Sequence, residues 1–408
     1  MASISQASLS DVAQSWLLSN QHASIEGIDL RPTENSLLKG NPLVIARGQA
    51  QAYFLYDSSK RVWILKKFLP GRKPDAQYLN AIQALIPHEP GFESGYQRRV
   101  IYALGASHGS YNTADFAAWI EGTILMPFVV GSDWAYIADQ IRAGNIELDF
   151  EQRLSLCRSL STKIQTLEQN GLAHRDLSST NIFIDTKAWE IHLIDWDSLY
   201  QSTLSIPTNT TFGTNGYVAP FVRVNGVEDA KFTWRNNADR FSMTILNCEF
   251  LCMDRNSPIT GDGGFFEQEE IHQGGGSGIA KIVATLEKSL PPAAPLLRSV
   301  LQAKGFDDCP APADWLGLAR AIAAPSLKEI YDPQPDFIRF VQELQKKSQQ
   351  KPAPPAPSLK DVELPDLNAA AILTKKTIGP AAPSLTEVEP LEWKRLPLAS
   401  KGTPKKTP

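Results

Sequence analysis

At 408 residues, with 42% hydrophobic and 9% aromatic side chains, the chain is long enough for a two-lobed core and has the composition of a globular protein. A net charge of −4, with no dense Lys/Arg cluster in the part expected to fold, argues against nucleic acid as a partner. The opening MASISQASLSDVAQSW lacks a basic region followed by an apolar run, and no uncharged stretch reaches the roughly 18 residues of a membrane span, so a cytoplasmic protein with no membrane contact is expected.

Residues 1–38 are polar, carry one helical pattern near Asp11 to Leu18, and read as a lead-in segment. From Pro42, PLVIARGQAQAYFLYDSSKRVWILKKFL alternates apolar and polar residues around the turn DSSK, which predicts two or three antiparallel strands. DAQYLNAIQALI then has the helical spacing Leu79, Ile82, Leu85, Ile86, and strand-like TILMPFVV closes a first unit, 39–130. A second unit, 131–345, opens on a helix with Leu156, Leu160, Ile164 and Leu167 along one face and a stop at Asn170-Gly171. Within it, GDGGFFEQEEIHQGGGSG reads as a flexible surface loop, because no strand precedes it and no Lys or Ser/Thr closes a phosphate-binding pattern.

Residues 346–408 are Pro/Ala-rich. The last 58 residues hold 11 prolines and few large apolar side chains, which predicts a disordered tail. APSLKEI at 324, APSLKDV at 356 and APSLTEV at 382, with a looser ASLSDV at 7, each place a Ser three residues before an acid. They read either as duplicated helix starts or as docking motifs for a partner protein. Cys157, Cys248, Cys252 and Cys309 form neither a zinc-ribbon nor a secreted-disulfide spacing. Cys248 and Cys252, one helical turn apart, read as helix-core residues, with a metal pair as the alternative.

The stretch with most chemistry is GLAHRDLSSTNIFIDTKAWEIHLIDWD, residues 171–197. IFID, the turn TKAW and EIHLID predict a hairpin that brings Asn181, just before its first strand, beside Asp195, just after its second. Carboxylates at strand ends are costly unless hydrated, paired or bound to metal. Two oxygen ligands from adjacent strand ends, completed by phosphate oxygens and water, suit Mg²⁺. Asp176 lies five residues upstream, within reach of a nucleophile attacking a metal-bound phosphate.

These residues carry a family resemblance. HRDLSSTN resembles the protein kinase catalytic loop H-R-D-L-x-x-x-N, and IDWDS stands where that family carries Asp-Phe-Gly. ARGQAQAYF, ILKKF, GTNGYVAPF and NADRFSMTIL follow the order of its glycine-rich loop, lysine strand, activation-segment end and buried helix, so the resemblance spans about residues 42–325. It implies an α+β bilobal fold, with a small antiparallel-sheet N-lobe and a mostly helical C-lobe. It implies ATP and Mg²⁺ as cofactors and a protein substrate. Asp176 would be the base, Asn181 and Asp195 the metal ligands, Lys66 the contact to the α- and β-phosphates, and Thr214 a partner of Asp176. Gly48, Ala50, Met126 and Phe128 would contact the nucleotide. His174 and Asp239 would anchor backbone, and Arg175 would meet a phosphate on Ser202, Thr203, Ser205, Thr208, Thr210 or Thr211. A cognate phosphatase is a further partner of this kind.

Four departures bear on activity. Only Gly48 remains of the glycine loop, the helix expected to offer Glu to Lys66 has none (Gln83, Glu89 and Glu93 are the substitutes at hand), Phe221 stands for the Glu of Ala-Pro-Glu, and Ser178 replaces a Lys. IDWDS also resembles a divergent bacterial group with Asp-x-Asp-Ser, and MPFV resembles that group's hinge. Asp197 then either stabilises the active arrangement, adds a carboxylate near the metals, or is an exposed loop residue capping Ser198 onward. A serine/threonine protein kinase is the leading reading. A pseudokinase scaffold is the alternative, and a small-molecule phosphotransferase is disfavoured by GTNGYVAP and the Ser/Thr-rich segment.

Overall fold

A computed structural model describes residues 6–323 except 48, 73–74, 86–98, 102–110, 112, 208–212, 225–226, 229 and 258–263. All of these fall in the unit Met1–Pro365, and the second unit, Asp366–Pro408, lies outside them, as do Gly48, Glu89, Glu93 and the three strict APSL copies.

Helix α1 (Gln6–Ser19) leads into strands β1 (Ala23–Ile25) and β2 (Ile28–Pro32), joined by a two-residue turn in which Glu26 and Gly27 both have positive φ. Such turns match the twist of the strands they join. Then follow β3 (Val44–Arg47), β4 (Ala50–Asp57), β5 (Val62–Phe68), α2 (Ala76–Leu85), β6 (Arg99–Ile101), α3 (Ala114–Ile120) and β7 (Thr123–Pro127). The sheet runs β1-β2-β4-β5-β7-β6, and β3 shares one edge of β4 with β2.

This corrects the reading of residues 1–38 as a lead-in. Two of the seven strands come from that segment, and α1 packs with α3 on the sheet's back face, where Trp16, Ile25, Leu30, Leu55, Leu65 and Phe116 form one buried cluster. The other face carries Ala50, Phe68 and Ile124 into a second cluster shared with the C-lobe. Because β5 alternates, Trp63, Leu65 and Lys67 point to the back, whereas Ile64, Lys66 and Phe68 point to the front. Lys67 donates to the Trp119 carbonyl and lies over its ring, 5.3 Å from the centroid.

Beyond β8 (Ser132–Asp133) the chain is mainly helical: α4 (Trp134–Arg142) and α5 (Phe150–Gln169) precede the short strand β9 (Leu172–Ala173), the hairpin β10 (Ile182–Asp185) and β11 (Glu190–Leu193), and β12 (Tyr200–Gln201), which pairs β9. Asp149 closes a capping box with Gln152 at the start of α5, the leucine-isoleucine face is buried, and Gly171 leaves it at φ 70°, as its sequence predicts. After α6 (Ala230–Thr233), helix α7 (Arg240–Cys252) is enclosed, with Phe241 through Phe250 all buried. The stretch expected to be a flexible loop instead seats Phe265 and Phe266, each 1% exposed, and forms the helix Gln268–Gln273. Two adjacent aromatics that can be buried outweigh the flexibility of the glycines around them. The four cysteines are free and buried, and Cys248 and Cys252 lie in the main core.

Candidate active site

The hairpin forms in the expected register, Ile182 opposite Leu193 and Asp185 opposite Glu190, and the Ile194 amide donates to the Asn181 carbonyl at 3.0 Å. The ladder therefore continues to the residue before Asp195 and sets Asn181 and Asp195 on neighbouring strand ends. Asn181 turns its amide nitrogen to the Asp176 carbonyl, 2.8 Å away, which leaves its side-chain oxygen as the group that can act as a ligand. Asp195 has φ 65° and Arg175 φ 67°, two left-handed non-glycine residues at the site. Such strain persists only where surrounding contacts enforce it.

Those contacts centre on Asp239, at the start of α7. Its carboxylate accepts the His174 amide at 2.6 Å and the Arg175 amide at 2.7 Å, fixing the loop that presents Asp176. The His174 ring donates from Nε2 to the Ile194 carbonyl at 2.7 Å and lies 4.7 Å from the Trp196 ring, so the loop that carries Asp176 and the turn Asp195–Asp197 are held together. Thr214 donates to Asp176 Oδ1 at 3.2 Å. Burial, then the charge of Asp195, push the Asp176 carboxyl up to about 7 against the opposing pull of Thr214, Lys66 and Arg175. A carboxylate near neutrality is suited to accepting a proton.

Lys66 Nζ lies 2.6 Å from Asp195 Oδ1 and 2.5 Å from Asp197 Oδ2. Burial lowers the ammonium's pKa, but the two carboxylates outweigh it and the net shift is upward. Asp197 is therefore not an exposed cap: its side chain is 11% exposed and ion-paired. Among the described residues, Lys66 forms no bond to α2, so Gln83 does not take the place of the missing Glu.

Cross-strand register places Ala52, Lys66 and Ile124 together, and Ile64 with Met126, on the front face of the sheet; Ala50 shares that face two residues along β4. These residues make an apolar wall ending at Lys66. Phe128 adds its ring, 5.9 Å from that of Phe54, but its amide donates to the Val62 carbonyl at 3.1 Å within the sheet. The next amide, that of Val129 just beyond β7, makes no main-chain bond among the described residues.

Arg175 does not wait for a phosphate. It is 5% exposed, donates to the Thr233 carbonyl (2.9 Å), Thr233 Oγ1 (2.6 Å) and the Ser198 carbonyl (3.0 Å), and lies 4.7 Å from the Trp234 ring centroid. Thr208, Thr210 and Thr211 lie outside the described residues. Phe221 replaces an ion pair with an edge-on contact to Phe306 at 4.8 Å, and Ser178 is buried with its hydroxyl 3.2 Å from that of Thr180.

The residues present fit a divalent cation. Asp176, Asp195 and Asp197 carry three formal charges against one from Lys66, and burial with mutual repulsion raises Asp195 as well as Asp176. Among the described residues no three His, Cys, Asp or Glu side chains converge as a metal cage; the Asn181 and Asp195 oxygens, on neighbouring strand ends, are the two that would hold Mg²⁺ if water and phosphate completed its shell. No described helix is long and apolar enough to cross a membrane.

Comparison with known proteins decides the family. The model of the protein kinase domain matches residues 121–351, more than half of the chain. The chain belongs to the protein kinase family. Its bilobal kinase fold, with the antiparallel N-lobe sheet and helical C-lobe described above, accords with that membership. The match begins after the strands that carry Ala50 and Lys66. Among curated proteins, the kinase is 25% identical over 136 residues to a probable serine/threonine-protein kinase of Dictyostelium discoideum, covering 33% of this chain and 14% of that protein. It is 24% identical over 151 residues to the probable serine/threonine-protein kinase kinX of the same organism, covering 36% of this chain and 13% of that one. The chain thus spans a small part of the length of these relatives.

Proposed function

We propose that this kinase transfers the γ-phosphoryl group of Mg-ATP to a serine or threonine hydroxyl of a protein. The observation that carries the reading is Asp176, raised to about 7, bonded to Thr214 and set beside the Asn181–Asp195 pair. ATP would supply the phosphoryl group, and Mg²⁺, held by Asn181 and Asp195, would neutralise charge developing on it. Asp176 orients the acceptor hydroxyl and takes its proton as the new oxygen–phosphorus bond forms and the bond to the leaving β-phosphate oxygen breaks. Lys66 meets the remaining phosphates, the front-face wall of Ala50, Ile124 and Met126 covers the adenine, and the Val129 amide orients it. Recognition of a protein by the APSL copies, and any paired phosphatase, belong to the same proposal.

The scaffold alternative draws on the reduced glycine loop, of which only Gly48 remains, and on the absence of Glu from α2. The kinase reading is supported on the second point by the Lys66–Asp197 pair, which gives the lysine a buried carboxylate from elsewhere in the chain. The test is labelling of mixed peptide libraries with radioactive ATP: Ser- and Thr-containing libraries become labelled and a Tyr-only library does not. Labelling of the Tyr library alone, or of none, contradicts the proposal.

A further inference from the structure

We propose that Asp197 is the positioning residue for Lys66, supplying from the Asp-x-Asp turn the carboxylate that α2 lacks. The inference rests on the nucleotide site proposed above and deepens it by saying what holds the phosphate-contacting lysine in place.

Three observations converge. Lys66 is 14% exposed and Asp197 11%, and their charged atoms lie 2.5 Å apart, so each takes the other out of water as a charge-assisted pair. Helix α2, AQYLNAIQAL, has no acidic residue, and among the described residues the Lys66 ammonium bonds to Asp195 and Asp197 alone. The local backbone then explains how two carboxylates two residues apart reach one ammonium. Asp195 is left-handed, a single 3-10 turn, Trp196–Ser198, follows, and Trp196 is buried against His174, so the carboxylates on either side of it meet the same front-face lysine.

Asp195 and Asp197 divide the work. Asp195 can turn to a cation while Asp197 keeps Lys66 aligned, whereas a glycine at 197 would leave the lysine with one carboxylate that is also a metal ligand. The lysine's position is thereby set by the C-lobe loop and does not depend on where α2 lies.

The test is a double-mutant cycle on the dissociation constant of Mg-ATP, measured by titration of the full chain, a readout that needs no phosphate transfer. Asp197→Asn is expected to weaken binding about tenfold, the loss of one charge-assisted contact at the phosphate ligand. Lys66→Met weakens it as well, and the double variant binds no more weakly than Lys66→Met alone. Asp197→Ser is carried through the same cycle, with thermal melts of every variant, so that misfolding of one does not decide the result. Additive losses, an Asp197→Asn variant that binds like wild type, or a loss restored by raising Mg²⁺ overturn the inference. A wild type that binds no ATP overturns the nucleotide site and this inference together, whereas ATP binding with additive losses overturns the inference alone.

Discussion

The Tyr78 hydroxyl donates to the Leu199 carbonyl at 2.5 Å, and both residues are buried. This bond ties α2 to the chain just beyond Asp197, two segments 121 residues apart. In a kinase whose lysine is not held by α2, it is a direct bond from that helix to the activation segment. Tyr78→Phe should lower unfolding stability by about 1–2 kcal/mol, the cost of leaving a buried carbonyl short of its donor. It should also slow phosphate transfer while leaving ATP affinity near wild type. Chemical denaturation and steady-state kinetics check both, and an unchanged melting midpoint contradicts the assignment.

Arg175 predicts that activity does not require phosphate on the activation segment. Its donors already meet Thr233 and Ser198, and Trp234 covers its guanidinium face. Phosphatase-treated protein and a Ser202→Ala, Thr203→Ala, Ser205→Ala variant should keep wild-type rates to within about twofold, a barrier change of under half a kcal/mol. Arg175→Met should instead destabilise the fold by about 3 kcal/mol or more, since it leaves buried acceptors unpaired. A rate that collapses on phosphatase treatment contradicts this.

Glu249 gives the pH dependence a sign. Enclosed in α7, it accepts from Trp134 Nε1 (2.8 Å), the Phe265 amide (3.0 Å) and the Tyr217 hydroxyl (3.1 Å), tethering the end of the activation segment to the core. Burial pushes its carboxyl from the usual 4.5 up to about 7, against the lowering effect of these donors. A carboxyl with a raised folded value binds its proton more tightly when folded. Its contribution is full below pH 4.5 and is lost as pH rises through about 7. Over that window the loss is on the order of 3 kcal/mol. Glu249→Gln cannot ionise, so its melting temperature relative to wild type should rise between pH 4.5 and pH 7.5, whatever the offset from imperfect hydrogen bonding. A difference that is flat or falls with pH contradicts the prediction.

Much of this site was legible because its signals are local. The α5 stop at Asn170-Gly171 and the Ile182–Leu193 register follow from residues a few positions apart, and alternation along β5 puts Lys66 and Lys67 on opposite faces, while the packing of Leu65 and Phe68 says which face each takes. What the sequence left dark is long-range. The partner of Lys66 lies 131 residues away, and no local pattern says that Asp197 turns inward. Arg175 was expected to meet phosphate because the kinase resemblance implies that role, whereas Thr233 and Trp234, which take up its guanidinium, reach it from 58 residues on and beyond. The strands before residue 38 are short and their hairpin turns on Glu26-Gly27, a weak signal on its own. Trp16, 1% exposed against Phe116 and Tyr111, shows how much core they enclose.

The most direct measurement is transfer of labelled γ-phosphate to a serine/threonine protein substrate by wild type, Asp176→Ala and Asp195→Asn, with ATP binding measured in parallel. The account predicts that wild type labels the substrate. Asp176→Ala should bind ATP with near wild-type affinity but lose at least about a hundredfold in rate, the scale of a lost general base, and Asp195→Asn should lose its Mg²⁺-dependent binding. Equal labelling by all three proteins would contradict the roles assigned to these residues, and a wild type that binds ATP without transferring phosphate would contradict the kinase activity itself.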